Sequence, residues 1–203
     1  PSRIDQGYGL TESSIKDVKE LGCDLLVTVD CGVRDKELIN KYSKELDFVI
    51  TDHHQPPEDI SENLEYILVH QMYPEKEYPN KEICGTSVVY LLIQALRYEL
   101  KMGENGTYGL DLVALSTVTD MMPLLDVNRV FVKYGLEQIS KGGRLGLNAL
   151  ILRSGILPKD INSYHLGYVV GPRINAAGRI GSPMEAVKLL VSKDEKKCNE
   201  ISN

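Results

Sequence analysis

The chain has 203 residues, 42% hydrophobic and 26% charged, which suits one globular domain or one and a fraction and excludes a disordered or fibrous chain. No apolar run approaches the ~18 residues of a membrane span, and no signal-peptide pattern opens the sequence. A net charge of -6 argues against a general nucleic-acid coat, and Cys23, Cys31, Cys84 and Cys198 lack zinc-site or disulfide-framework spacing, which points to a reducing cytoplasm.

Pro1 to Leu10 reads as a loop. Thr11 caps a predicted helix carrying Ile15, Val18 and Leu21, and Gly22 ends it. Asp24 to Val29 is a β-rich run that ends in Asp30 and turns at Cys31-Gly32. Asp35 to Leu46 reads as an amphipathic helix with Leu38, Ile39 and Tyr42 inward. Asp47 to Thr51 is the next strand. Asp52-His53-His54 follows it, and Gln55-Pro56-Pro57 stops any regular element. Glu65 to Val69 is a third strand. Strand, helix, strand with an acid at each tip is a βαβ signature, which implies a parallel sheet. The nearly continuous apolar strands imply cover on both faces. Asp30 and Asp52-His53-His54 would then share the carboxyl edge of the sheet, where ligands collect.

Residues 70–83, with Pro74 and Pro79, read as a polar surface loop. Gly85 to Lys101 is apolar on most sides (Val88, Val89, Leu91, Leu92, Ile93, Leu96) and predicts a core helix. Leu110 to Thr119 is a second apolar helix that delivers Asp120, and Pro123 blocks its continuation. Helices follow over Asn128 to Ser140 and Gly146 to Arg153. The run from His165 to Arg179 is read as a loop, with Tyr168, the one aromatic beside its arginines, as a core residue. Pro183 then opens a helix that continues to the end of the chain.

Charge is uneven along the chain. Residues 1–70 carry fifteen Asp/Glu against seven Lys/Arg. Residues 141–181 carry six Lys/Arg (Lys141, Arg144, Arg153, Lys159, Arg173, Arg179) against Asp160. An acidic half suited to cations precedes a basic segment suited to phosphates. Asp30, Asp52, His53, His54 and Asp120 are the carboxylates and imidazoles that a site for two manganese-like ions requires. Two such ions ~3.5–4 Å apart activate water for in-line attack on phosphorus. Taken singly, Asp30 is a turn former and Asp120 a local backbone acceptor; the signal lies in their combination.

Several segments together resemble the DHH phosphoesterase superfamily and, within it, the RecJ-like single-stranded-DNA exonucleases. They are Val29-Asp30-Cys31-Gly32, Thr51-Asp52-His53-His54-Gln55-Pro56, Cys84-Gly85-Thr86, Thr119-Asp120-Met121-Met122-Pro123-Leu124 with Asn128-Arg129, and Gly171-Pro172-Arg173-Ile174-Asn175-Ala176-Ala177-Gly178-Arg179. Asp-His-His identifies only the superfamily; the last run points to the RecJ-like group. The resemblance implies an α/β fold: a parallel sheet flanked by helices, followed by a helical segment. The DHH core would span residues 1–160, and an Arg-rich, phosphate-contacting segment residues 161–203. It implies Asp30, His53 and Asp120 as metal ligands, with Mn2+ ahead of Mg2+ and two ions in the complete protein. His54 would face the scissile phosphate, as a ligand or a transition-state stabiliser. Asp52 would orient its neighbours or touch a metal. Arg179, Arg173 and Asn175 would lie beside the DNA strand, with an ion pair pinning the loop as the competing reading of Arg173. The implied activity is 5′-to-3′ hydrolysis of single-stranded DNA in repair and recombination.

The family's earlier Asp-x-Asp-Gly motif and its later Gly-Gly-Gly-His motif are both absent from these residues. The expectation is therefore a fragment of the core with weak or single-metal occupancy and little activity alone, and with self-association possible at an exposed sheet edge. Two alternatives stand beside the exonuclease. One is another DHH phosphoesterase, acting on oligoribonucleotides or cyclic dinucleotides. The other is a non-catalytic DHH-fold scaffold in a replication assembly.

Overall fold

Three short parallel strands frame the first half of the chain. In the computed structural model, β1 (Leu25–Val29) pairs with β2 (Asp47–Thr51) from Leu25↔Asp47 to Val29↔Thr51, and β3 (Ile67–Val69) lies on the far side of β2. The structure describes residues 9–60, 64–73, 78–103, 106–180 and 182–202, without the side chains of Arg179 and Ile180. These residues fall into two compact units, Pro1–Glu104 and Asn105–Asn203.

In the first unit, α1 (Glu12–Glu20) starts where the Thr11 hydroxyl accepts the Ser14 N–H and the Ser14 hydroxyl accepts the Thr11 N–H. These reciprocal bonds satisfy donors that the first helical turn leaves open. α2 (Lys36–Tyr42) is shorter than its amphipathic pattern predicts, because the chain turns from Ser43 before β2. Ile15, Ile39, Tyr42, Leu46, Phe48 and Ile50 form the core under one face of the sheet, with Leu26 and Leu68 packed against it. Each such Ile or Phe contributes about 2 kcal/mol of burial.

Two expectations fail in this unit. The edge strand β1 is not covered on both faces: its Leu25, Val27 and Val29 are about half exposed, at 48%, 48% and 54%. The helices α1 and α2 cover only the opposite face. The second failure is α3 (Gly85–Glu99), which is not a core helix throughout. It buries Gly85, Ser87 and Val88 in its first turn, while Ile93 and Leu96 are 44% and 50% exposed.

The second unit is helical. α4 (Leu110–Thr119), α5 (Asp126–Ser140) and α6 (Leu145–Arg153) surround a core of Ala114, Leu115, Val132, Ile139, Leu147, Leu150 and Ile151. Arg144 fastens this core internally and does not join a phosphate-facing surface. Its Nε and Nη2 donate to Asp111 Oδ2 and Oδ1 at 2.6 and 3.3 Å, and Nη1 donates to the Leu190 carbonyl at 2.9 Å. Such a bidentate pair is stronger than a single charged contact.

The run expected to be a loop is helical. α7 (Ser163–His165) leads into a π-helical turn (Leu166–Val170) and then α8 (Gly171–Ile180). The Gly171 N–H reaches the Leu166 carbonyl, five residues back. This widened turn directly precedes Pro172, whose ring would otherwise collide with a carbonyl four residues back. The final predicted helix is two, α9 (Pro183–Val191) and α10 (Glu195–Ile201), because Asp194 caps a second start by accepting from the N–H groups of Lys196 and Lys197. Among the described residues no helix is long and apolar enough to cross a membrane.

Candidate metal centre

β1 and β2 end together, and the residue after each end is an aspartate. The Asp30 N–H donates to the Thr51 carbonyl at 2.9 Å, so the ladder runs one residue past β1 before the chain turns. The Thr51 hydroxyl donates to the Thr28 carbonyl at 2.7 Å, and the Thr28 hydroxyl to the Cys31 carbonyl at 2.8 Å, which locks both tips. Asp30 has a φ of 66°, a left-handed conformation uncommon for any residue but glycine. Backbone of this kind costs of order 1 kcal/mol and clusters at functional sites.

Asp52 is buried and each of its oxygens is occupied. Oδ2 accepts the Val33 N–H at 3.0 Å. Oδ1 accepts the N–H groups of His53 and His54 at 2.7 and 3.2 Å, and His54 Nδ1 at 2.7 Å. Burial pushes the Asp52 carboxyl up, but the bonds from Val33, His54 and His53 more than offset it and hold it below the ordinary carboxylate value. A carboxylate accepting from Nδ1 fixes that ring's tautomer, so the Nε2 lone pair of His54 is directed away from Asp52.

His53 is fixed in the same way by backbone. Its Nδ1 lies 3.0 Å from the Ile83 carbonyl, which can only accept, so Nδ1 carries the proton. Its Nε2 faces Asp30 Oδ1 at 3.1 Å. A bare nitrogen lone pair and a carboxylate oxygen repel at that distance, so the gap calls for a proton or a cation. Asp30, His53 and His54 each offer a ligand atom, and these atoms all lie within 4.8 Å of one another. One carboxylate and two neutral imidazoles suit manganese, zinc or iron. Cys31 beside them stays a thiol: burial first, then Asp52, Asp35 and Asp30, push its pKa up. The same negative field attracts cations.

The support behind this trio is absent from the sequence reading. His70 and Gln71, placed there in a surface loop, are buried at 7% and 4% exposure. His70 Nδ1 accepts the Met72 N–H at 3.1 Å, so Nε2 carries the proton and donates to the His54 carbonyl at 2.9 Å. Gln71 Nε2 donates to the His53 carbonyl at 2.9 Å and to the Lys81 carbonyl at 3.2 Å. The residues that end β3 therefore hold the Asp-His-His turn from behind. A signal was available: polar residues directly after an apolar strand are candidates to satisfy neighbouring strand ends.

Gly85 explains part of the Cys84-Gly85-Thr86 motif. A Cβ on this first residue of α3 would lie 2.3 Å from Asp30 Oδ1. Only glycine admits the Asp30 carboxylate so close to the helix start, whose partial positive charge favours an anion.

The remaining predicted residues lie in the second unit. Asp120 is the exposed C-cap of α4, its N–H bonded to the Ser116 carbonyl at 2.8 Å. A Cβ on Gly171 would lie 2.2 Å from Thr119 Cγ2, so the start of α8 presses against the helix end that carries Asp120. Arg173 and Asn175 are exposed on α8. Arg173 pins no loop through an ion pair among the described residues; its Nη1 donates to the Val169 carbonyl at 2.8 Å. The side chain of Arg179 lies outside the described residues. Tyr168 is 72% exposed, not a core residue.

The fold matches that of known proteins. The DHH family, N-terminal domain, matches residues 2–117. The single-stranded-DNA-specific exonuclease RecJ of Bacillus subtilis is 38% identical over 204 residues, covering 100% of this chain and 25% of the relative. RecJ of Thermus thermophilus is 34% identical over 197 residues, covering 96% of this chain and 28% of the relative. The chain thus spans only about a quarter of the length of these curated relatives. Among solved structures, exonuclease RecJ bound to manganese superposes with a TM-score of 0.87 at 29% identity, over 100% of this chain and 50% of that one. RecJ from Thermus thermophilus in complex with Mn2+ gives 0.79 at 29% identity, over 93% and 28%. With the family's domain matched over more than half of its 203 residues, the chain belongs to the DHH family.

Proposed function

We propose that Asp30, His53 and His54 hold a divalent ion, Mn2+ ahead of Mg2+, in a nuclease that hydrolyses single-stranded DNA from its 5′ end in repair and recombination. One observation carries this reading: three ligand atoms from two strand tips converge within 4.8 Å. The tautomers of both histidines are set by their other ring nitrogens, His53 on the Ile83 carbonyl and His54 on Asp52. The manganese-bound RecJ structures and the exonuclease relatives support it further.

A bound ion would supply Lewis-acid activation of water and of the phosphoryl oxygen. The chain's own residues do the rest. Asp52 acts as a positioning residue, holding His54 and the turn that carries His53. The backbone behind Asp30 directs its carboxylate toward His53. In this reading Asp120 would join the ligands in the complete site, which would take a second ion, and Arg173, Asn175 and Arg179 would grip the strand's phosphates. Water adds to phosphorus, the P–O3′ bond breaks, the 3′ oxygen takes a proton, and a 5′-mononucleotide leaves.

Calorimetric titration of Mn2+ into the chain and into Asp30→Ala and His53→Ala tests the site. Both variants are expected to bind at least ~100-fold more weakly, since outer partners alone are worth ~10–100-fold. Unchanged affinity in both would remove the basis of the proposal. Hydrolysis of 5′-labelled single-stranded DNA set against a dinucleotide then separates the exonuclease from other DHH phosphoesterases.

A further inference from the structure

We infer that Tyr164 and Tyr168 form a stacking platform for the bases of single-stranded DNA. The inference rests on the single-stranded-DNA reading above and adds a site for the bases, which the metal and the arginines do not provide. The two rings are stacked, with centroids 5.1 Å apart and planes 30° apart. They are 63% and 72% exposed, so neither ring is part of the core. Between them, Leu166 is buried, as is Val170 beyond Tyr168, and both anchor this helical turn in the core of the second unit. The inward residues fix the backbone while the rings stay outside on a rigid element. His165 meets Tyr164 edge-on at 6.0 Å, which further restrains that ring.

The charge around the pair suits a polyanion. Residues 161–182 contain Arg173 and Arg179 and no acid. The Arg173 guanidinium reaches back to the Val169 carbonyl, one residue along the chain from Tyr168. Just before this segment, exposed Lys159 and Asp160 offset each other. Cations for phosphates beside aromatic faces for bases are how proteins hold a single strand without reading its sequence. The π-helical turn that carries Tyr168 is also the kind of irregularity found at functional sites.

The test is equilibrium binding to two oligonucleotides of equal length, oligo-dT and an abasic strand with the same phosphates. Chelator is present so that neither is cut. The chain is expected to prefer oligo-dT. Tyr164→Ala and Tyr168→Ala should each weaken oligo-dT binding ~10-fold while leaving the abasic strand unchanged, and Tyr→Phe at either position should keep affinity within about two-fold. The chain has 11 tyrosines and no tryptophan, so quenching of tyrosine emission by the strand is directly visible and should shrink in the double Ala variant. Equal loss on both strands, or no loss on either, overturns the platform, and so does a chain with no preference for oligo-dT. The two proposals fail separately. A chain that cuts DNA but shows no base preference sinks only the platform; one that prefers oligo-dT through these tyrosines but never cuts DNA sinks only the nuclease.

Discussion

The strand tips of the first unit and the helical run 163–180 of the second solve opposite problems. At the tips, each polar group is held by another: Asp52 accepts four bonds, His53 and His54 are fixed through their second nitrogens, and His70 and Gln71 grip the backbone behind them. On the helical run, Tyr164, Tyr168, Arg173 and Asn175 stand exposed on a backbone anchored by Leu166 and Val170. Interlocked groups can place small donors within an ångström but cannot be altered singly. Exposed groups on a rigid helix can follow a flexible polymer and be changed one at a time. Substitutions at the tips should therefore disturb stability and metal binding together, and those on the helix should disturb DNA binding alone.

The largest effect is expected from Asp52→Ala. It strips four bonds from a buried cluster, so it should cost ~3 kcal/mol or more of stability and lower Mn2+ affinity 10- to 100-fold, read by urea unfolding and calorimetry. A variant that loses metal with stability unchanged would break the claim that the two are coupled. Gly85→Ala comes next. The new methyl displaces the Asp30 carboxylate, so Mn2+ affinity should fall ~10-fold with stability altered by ~1 kcal/mol.

His70→Asn should cost ~1–2 kcal/mol by loosening the His54 carbonyl. His70 also gives this region its pH dependence. Burial, ahead of its other interactions, pushes the His70 pKa below the ordinary 6.5. Between the folded value and 6.5 the unfolded chain binds more protons, so stability is complete above 6.5 and falls as pH drops through that window. Unfolding of the metal-free chain at a series of pH values should show this slope, and His70→Asn should flatten it. The smallest effect belongs to Arg173→Ala: stability within ~0.5 kcal/mol, DNA binding modestly weaker, and a log–log salt slope shallower by ~1.

Sequence periodicity reached the elements whose burial is regular. β2 and α4 have the predicted limits, and β1 begins one residue later than expected, because their apolar runs are bounded by turns and caps. That Asp30, His53 and His54 meet was legible because Asp30 and Asp52-His53-His54 follow those strands directly, and parallel pairing sets strand ends side by side. His70 and Gln71 were not legible: the carbonyls they satisfy lie 16 and 18 residues earlier, and pattern reading is local. The helix through Gly171-Pro172 was missed because glycine and proline usually punctuate a loop, and a widened turn that admits proline leaves no mark in the residue pattern. Tyr168 was misplaced with it, since its face depends on that turn.

The left-handed bend at Asp30 bears on how fast the site can load. Its backbone turn, the ring orientations of His53 and His54 and the carboxylate of Asp52 are set as the chain folds. An arriving ion then has little chain left to order, so coordination needs only water loss and small torsional adjustment. Loading of the metal-free chain with Mn2+ should accordingly proceed at the pace of water exchange on the ion, with no slow refolding phase.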